Sequence, residues 1–141
     1  GYFSTRLAGS VPDGMGYGLD VESSMVEYLN ARAEREALTN LTSQLATFDD
    51  AKVPEPVDLI IVVNTYHHID ARKAYFARLA DKLKPNGRLV IIDFTRASKM
   101  GPPSDLKVPK DAVTAELTSA GYKLASEHTF LPEQFFLVFQ R

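Results

Sequence analysis

The sequence predicts an α/β fold: a mostly parallel sheet that closes on an antiparallel pair. Strand-like runs alternate with helical stripes along most of the chain, the pattern of a parallel sheet covered by helices. Residues 57–63 and 88–94 are almost continuous apolar, largely β-branched runs, as expected of strands covered on both faces. Residues 122–128 and 135–139 are strand-like and joined by a short connection around Leu131-Pro132, which suits an antiparallel pair.

Each element has its own signal. Residues 4–8 read as the remainder of a helix, and Pro12-Asp13-Gly14 as a turn. Residues 15–19 form a short strand that ends at Asp20. Ser23 or Ser24 is the expected cap of the next helix, whose stripe is Met25, Tyr28, Leu29, Ala33 and Ala37. Residues 41–48 are a further strand, and 57–63 the next. Asp70 is the expected cap of a helix carrying Tyr75, Phe76, Leu79, Ala80 and Leu83, which Lys84-Pro85-Asn86-Gly87 stops. After the strand 88–94, residues 95–108 form a loop containing Gly101-Pro102-Pro103, long enough to suggest function. Residues 110–120 form a helix with Val113 and Leu117 inward, ended by Gly121.

Composition narrows the function classes. The chain has 141 residues, suited to one domain spanning 1–141, with 45% apolar and 24% charged residues. Its formal net charge is -2, with Lys and Arg scattered among acids, so no nucleic-acid partner is expected. There is no cysteine, which excludes disulfides and a thiol nucleophile and fits a cytoplasmic location. The longest apolar runs are far too short to span a bilayer as a helix.

In open α/β sheets ligands bind beyond the carboxyl ends of the strands. The residues there are Asp20, then Asp49 and Asp50, then Asn64, Thr65, Tyr66, His67 and His68, and then Asp93. A carboxylate at Asp20 can accept hydrogen bonds from two vicinal ribose hydroxyls, since both its oxygens are acceptors; the plain alternative is a turn acid. Asp49 can accept from an adenine amino group, or be a solvated loop acid. A neutral histidine can take a proton from an attacking hydroxyl or amine, and His68 is the candidate catalytic base. The plain alternative is that one histidine packs beneath a cofactor while the other caps a helix. His128 reads as structural, and adjacent histidines without further ligands make a poor metal site, so none is expected. Tyr66, Phe130 and Phe136 could wall an acceptor pocket, although core packing is the ordinary role of such rings.

These segments, taken in order, resemble those of class I S-adenosylmethionine (SAM)-dependent methyltransferases over essentially the whole chain. Gly1-Tyr2-Phe3-Ser4 is similar to the end of the family's glycine-rich loop and the helix that follows. Met15-Gly16-Tyr17-Gly18-Leu19-Asp20 resembles its second motif, and Phe48-Asp49-Asp50-Ala51-Lys52-Val53-Pro54 its adenine-proximal segment. Val57-Asp58-Leu59 through Asn64-Thr65-Tyr66-His67-His68-Ile69 resembles its fourth motif. Leu83-Lys84-Pro85-Asn86-Gly87-Arg88-Leu89-Val90-Ile91-Ile92-Asp93 is close to the family's LKPGGRLVIxD signature. The nearest general likeness is to the small methyltransferases grouped loosely with ubiquinone and menaquinone biosynthesis enzymes.

The resemblance implies a Rossmann-like sheet of order 3-2-1-4-5-7-6 with strand 7 antiparallel. It implies SAM as cofactor, Asp20 at the ribose, Asp49 at the adenine, Gly1 near the methionine part, and residues from Asn64 and Thr65 to His68 on the reaction side. A small-molecule methyl acceptor is expected. Strand 1 and most of the glycine loop have no counterpart, so the chain reads as an N-terminally truncated domain. An empty central place would leave costly strand edges. Either strands 2 and 4 pair directly or another segment fills the place, with a second copy in a homodimer the expected donor. The rival reading is a non-catalytic SAM-binding or interaction module. A nicotinamide-dependent oxidoreductase also places an acid after its second strand, but has no place for the last two motifs.

Overall fold

A computed structural model describes residues 1–141. The chain divides into two compact units, Gly1–Pro54 and Glu55–Arg141.

In the first unit, α1 (Tyr2–Ser10), β1 (Gly16–Asp20), α2 (Ser23–Arg35) and β2 (Leu41–Leu45) follow in order. β1 and β2 pair in parallel, with Gly16 opposite Leu41 and Asp20 opposite Leu45. A parallel pair requires a crossover, which α2 supplies. Leu29 and Ala33 lie one helical turn apart on its buried face. They meet Ala8 and Leu41 in this unit's core, with Leu38 packed against them. A Cβ at Gly18 would lie 2.4 Å from Leu29 Cδ2, so glycine is what lets α2 approach β1 this closely. Asn30 Oδ1 accepts the Ser43 N–H at 2.7 Å, and its Nδ2 donates to the Ser43 carbonyl at 3.0 Å. Asn40 Nδ2 donates to the Ala8 and Val11 carbonyls, satisfying acceptors left at the end of α1.

The second unit contains β3 (Val57–Val63), a 3-10 turn (Tyr66–His68), α3 (Arg72–Ala80), β4 (Leu83–Phe94), a second such turn (Ser104–Leu106), α4 (Lys110–Ser119), β5 (Lys123–His128) and β6 (Gln134–Gln140). Its sheet has the order β3-β4-β6-β5. β3 and β4 are parallel, and β6 is antiparallel to both β4 and β5. Leu89, Ile91 and Asp93 of β4 lie opposite Phe139, Leu137 and Phe135, and all are buried. Phe76 and Leu79 of α3 and Val113 and Leu117 of α4 are buried as well. The buried Tyr122 hydroxyl donates to the Phe76 carbonyl at 2.9 Å.

The α/β class and the antiparallel ending are as the sequence predicts. The order β2-β1 matches strands 3-2 of the family sheet, and β3-β4-β6-β5 matches strands 4-5-7-6. β1 and β3 belong to different sheets.

Several local expectations are corrected. No residue of β3 is fully buried, although its sequence suits a strand covered on both faces; β3 pairs only with β4 and so ends its sheet. Neither Ser23 nor Ser24 caps α2: Glu22 occupies the cap position, and its N–H is taken by the Asp20 carboxylate. Ala71, not Asp70, precedes α3, with φ of 45°. That helix ends at Ala80, and Leu83 pairs with Val57 instead of joining the helix. Asn86, at φ of 65°, lets the expected stop run on into β4. Of the three aromatic rings considered for a pocket wall, Tyr66 has the ordinary core role, stacked on Phe76, whereas Phe130 is 68% exposed beside Phe136 and His128.

The loop after β4 is compact. Gly101 has φ of 77° and presses on Phe94, where a Cβ would lie 2.3 Å from the ring. The buried Lys107 donates from Nζ to the Ser98 carbonyl at 2.6 Å.

Candidate functional site

Asp20 is the last residue of β1, and its carbonyl accepts the Ala46 N–H at 2.8 Å. One carboxylate oxygen, Oδ1, accepts the Glu22 N–H at 3.0 Å. This turn fixes the carboxylate and leaves capacity for further donors, since an ionised carboxylate has about four lone-pair sites. Asp20 lines a hollow of about 70 Å³ with Gly1, Ser4, Gly18, Leu19, Met25, Leu29 and Ser43. The structure therefore brings together Gly1 and Asp20, which the sequence assigned to one cofactor. A full small-molecule pocket is on the order of 300 Å³ or more, so this hollow suits a part such as a ribose edge. Gly1 and Gly18 both lie close against Leu29, where added Cβ atoms would meet its side chain at 3.0 and 2.4 Å.

Asp49 lies outside that hollow, on the exposed turn after β2. Its Oδ1 accepts the Thr47 hydroxyl at 2.7 Å, while Thr47 and Asp50 close the turn through paired backbone hydrogen bonds. Phe48 beside it is 81% exposed.

In the second unit, Asn64 follows β3 with φ of 52°, a conformation that asparagine tolerates well. Its N–H donates to the Ile92 carbonyl, and its Oδ1 accepts from Gln134 Nε2 at 2.7 Å. Thr65 is exposed and its hydroxyl donates to the Val63 carbonyl at 2.9 Å. His68 is exposed as well, and its backbone N–H donates to the Thr65 carbonyl.

The sequence named His67 and Asp93 among the strand-end residues without joining them. In the structure Asp93 Oδ1 and Oδ2 each lie 3.0 Å from His67 Nδ1. Asp93 also accepts the backbone N–H groups of His67, at 3.3 Å, and Phe94, at 2.8 Å. The two rings of His67 and His68 pack with centroids 4.1 Å apart.

Next to this pair, Tyr66, Arg72 and Glu116 form a clamp. The Tyr66 hydroxyl donates to Glu116 Oε2, and Arg72 donates to the same carboxylate through Nε and Nη2. Burial, reinforced by Glu116, pushes the Tyr66 hydroxyl pKa well up. The Arg72 hydrogen bond holds the Glu116 carboxyl below its ordinary range. This clamp has no local signature in the sequence, since α4 reaches Tyr66 only in the folded chain.

The sequence profile of a methyltransferase domain matches residues 1–129. No curated protein matches significantly. Among solved structures, the chain is similar to a SAM-dependent methyltransferase from Aquifex aeolicus, with TM-score 0.81 and 25% identity, covering 89% of this chain and 68% of that one. It shares its fold with an O-methyltransferase of neocarzinostatin biosynthesis complexed with S-adenosyl-L-homocysteine and 1,4-dihydroxy-2-naphthoic acid. That TM-score is 0.78 at 15% identity, over 96% of this chain and 44% of the other. A glycopeptide N-methyltransferase complexed with SAM has TM-score 0.71 at 11% identity, over 88% and 71%. The profile match runs over most of the sequence and agrees with the likeness to the Aquifex enzyme, and the chain belongs to the methyltransferase domain family, with S-adenosylmethionine as its cofactor.

Proposed function

We propose that the chain transfers the methyl group of SAM to a small organic acceptor. The observation that carries this reading is Asp20, held by the Glu22 N–H at a strand end and bordering the same hollow as Gly1. In this reading Asp20 accepts the ribose hydroxyls, Gly1 lets the methionine part approach the backbone, and Asp49 accepts from the adenine amino group. Asn64 and Thr65 line the cofactor on the side of β3, and His68 lies toward the acceptor. The bound donor supplies an electrophilic methyl group, and the chain's own residues orient it and keep the nucleophile in line.

The net charge of -2, without a basic stripe, favours a small acceptor over nucleic acid. The fold neighbour holding a small aromatic acid supports the same size class. Both units belong to one functional domain in this reading, since the family match runs across their boundary at Pro54. A second copy pairing with the free edge of β3 is part of the proposal, and sedimentation velocity that finds only monomer would remove it.

The test is transfer of an isotopically labelled methyl group from SAM to a panel of phenols, hydroxy acids and amines, with RNA and protein substrates alongside. Label on a small acceptor is expected. Label on RNA or protein alone would overturn the acceptor class. Donor binding without transfer to anything would favour the non-catalytic module.

A further inference from the structure

We infer that His67, oriented by Asp93, is the general base for the acceptor's proton, an inference that rests on the proposed methyl transfer. Asp93 lies on the buried face of β4 and is 4% exposed. It accepts the N–H groups of Phe94 and His67, and both its oxygens lie 3.0 Å from His67 Nδ1. An ionised carboxylate can only accept, so the hydrogen of that contact belongs to Nδ1. In a neutral ring this leaves the lone pair on Nε2.

Nε2 is also reachable. The His67 side chain is only 6% exposed, and its ring makes no other hydrogen bond. No unpaired side-chain nitrogen or oxygen is sealed from solvent, so Nε2 lies where water or a ligand can touch it. The residue follows β3, beyond the carboxyl end where ligands of such sheets bind. His68 is more exposed, but no hydrogen bond fixes its imidazole. His67 contacts Asp93 from β4 and His68 from its own turn, while neighbouring Tyr66, Arg72 and Glu116 are paired among themselves.

The acceptor's X–H bond breaks and its proton goes to Nε2, the X lone pair forms the bond to the methyl carbon, and the methyl–sulfur pair leaves on sulfur as a neutral thioether. The resulting imidazolium faces Asp93 and passes its proton to water. Such a base serves a nucleophile that still carries its proton at neutral pH, a hydroxyl or an amine. A carboxylate acceptor has no use for it.

Long-range proton–nitrogen NMR of the labelled full chain reads the tautomer, with His68→Gln and His128→Gln assigning the signals. We expect Nδ1–H at His67 by about tenfold or more, the scale of one charge-assisted hydrogen bond. Asp93→Asn should shift the population toward Nε2–H. His67→Asn keeps a side-chain N–H for Asp93 but removes Nε2. It should lower turnover of hydroxyl acceptors about 10²–10⁴-fold while S-adenosylhomocysteine affinity stays at the parental value. A parental Nε2–H tautomer, or full turnover in His67→Asn, would overturn the assignment. The tautomer is read without any acceptor, so an absence of turnover in the parent counts against the proposed function and leaves the NMR result to decide the role of Nδ1.

Discussion

The Tyr66 hydroxyl lies 2.6 Å from Glu116 Oε2, tying the turn after β3 to α4. Tyr66 is fully buried, whereas the Glu116 side chain that accepts from it is 33% exposed. Tyr66→Phe should destabilise the second unit by about 1–2 kcal/mol, because Glu116 keeps its contacts to Arg72. Urea unfolding measures this, and an unchanged midpoint would show that the bond contributes nothing net.

The same clamp gives stability a pH dependence with a definite sign at each end. Glu116 is held below its ordinary range, so its contribution is present above the unfolded carboxyl pKa, about 4.3, and is lost as pH falls through the lower folded value. Tyr66 is pushed up, so its contribution is present below about pH 10 and is lost as pH rises toward the folded value. Denaturation at a series of pH values should show both losses in the parent. Glu116→Gln should flatten the acid limb, and an identical acid limb in that variant would refute the assignment.

At Gly18 the prediction concerns packing. Gly18→Ala places a methyl group 2.4 Å from Leu29 Cδ2 and should cost about 1–3 kcal/mol by overpacking. In the Leu29→Ala background the added methyl should cost at least 1 kcal/mol less, roughly the coupling expected of residues in contact. Additive effects in this double-mutant cycle would mean that the clash is relieved elsewhere.

Removing the Asp93 carboxylate tests how much it supports. Asp93→Ala leaves the N–H groups of His67 and Phe94 and the His67 ring without their acceptor. The expected cost is about 2–3 kcal/mol, with faster hydrogen exchange at the Phe94 amide. Parental exchange at Phe94 would contradict the carboxylate's structural role.

The order of elements was legible in the sequence because periodicity and apolar runs are local signals. So were the strand-end acids: Asp20 ends β1, and Asp49 follows β2. Helix starts were less legible, since Glu22 rather than a serine occupies the cap position of α2, and a left-handed Ala71 replaced Asp70 before α3. The exposure of β3 was hidden because its apolar run does not reveal whether a neighbouring strand is present. His67 and His68 are adjacent in sequence and equal in chemistry. Only the folded position of Asp93, twenty-six residues on, separates them. The Tyr66–Glu116 bond spans fifty residues and has no sequence signature.

In the proposed site Asp20 holds the methyl donor, and calorimetric titration of S-adenosylhomocysteine into the parent and Asp20→Ala reads that role. The parent should bind, and the variant, with its fold confirmed by circular dichroism, should bind about 1–3 kcal/mol more weakly, roughly five- to 150-fold. Equal affinity in the two proteins, or no binding by the parent, would contradict it.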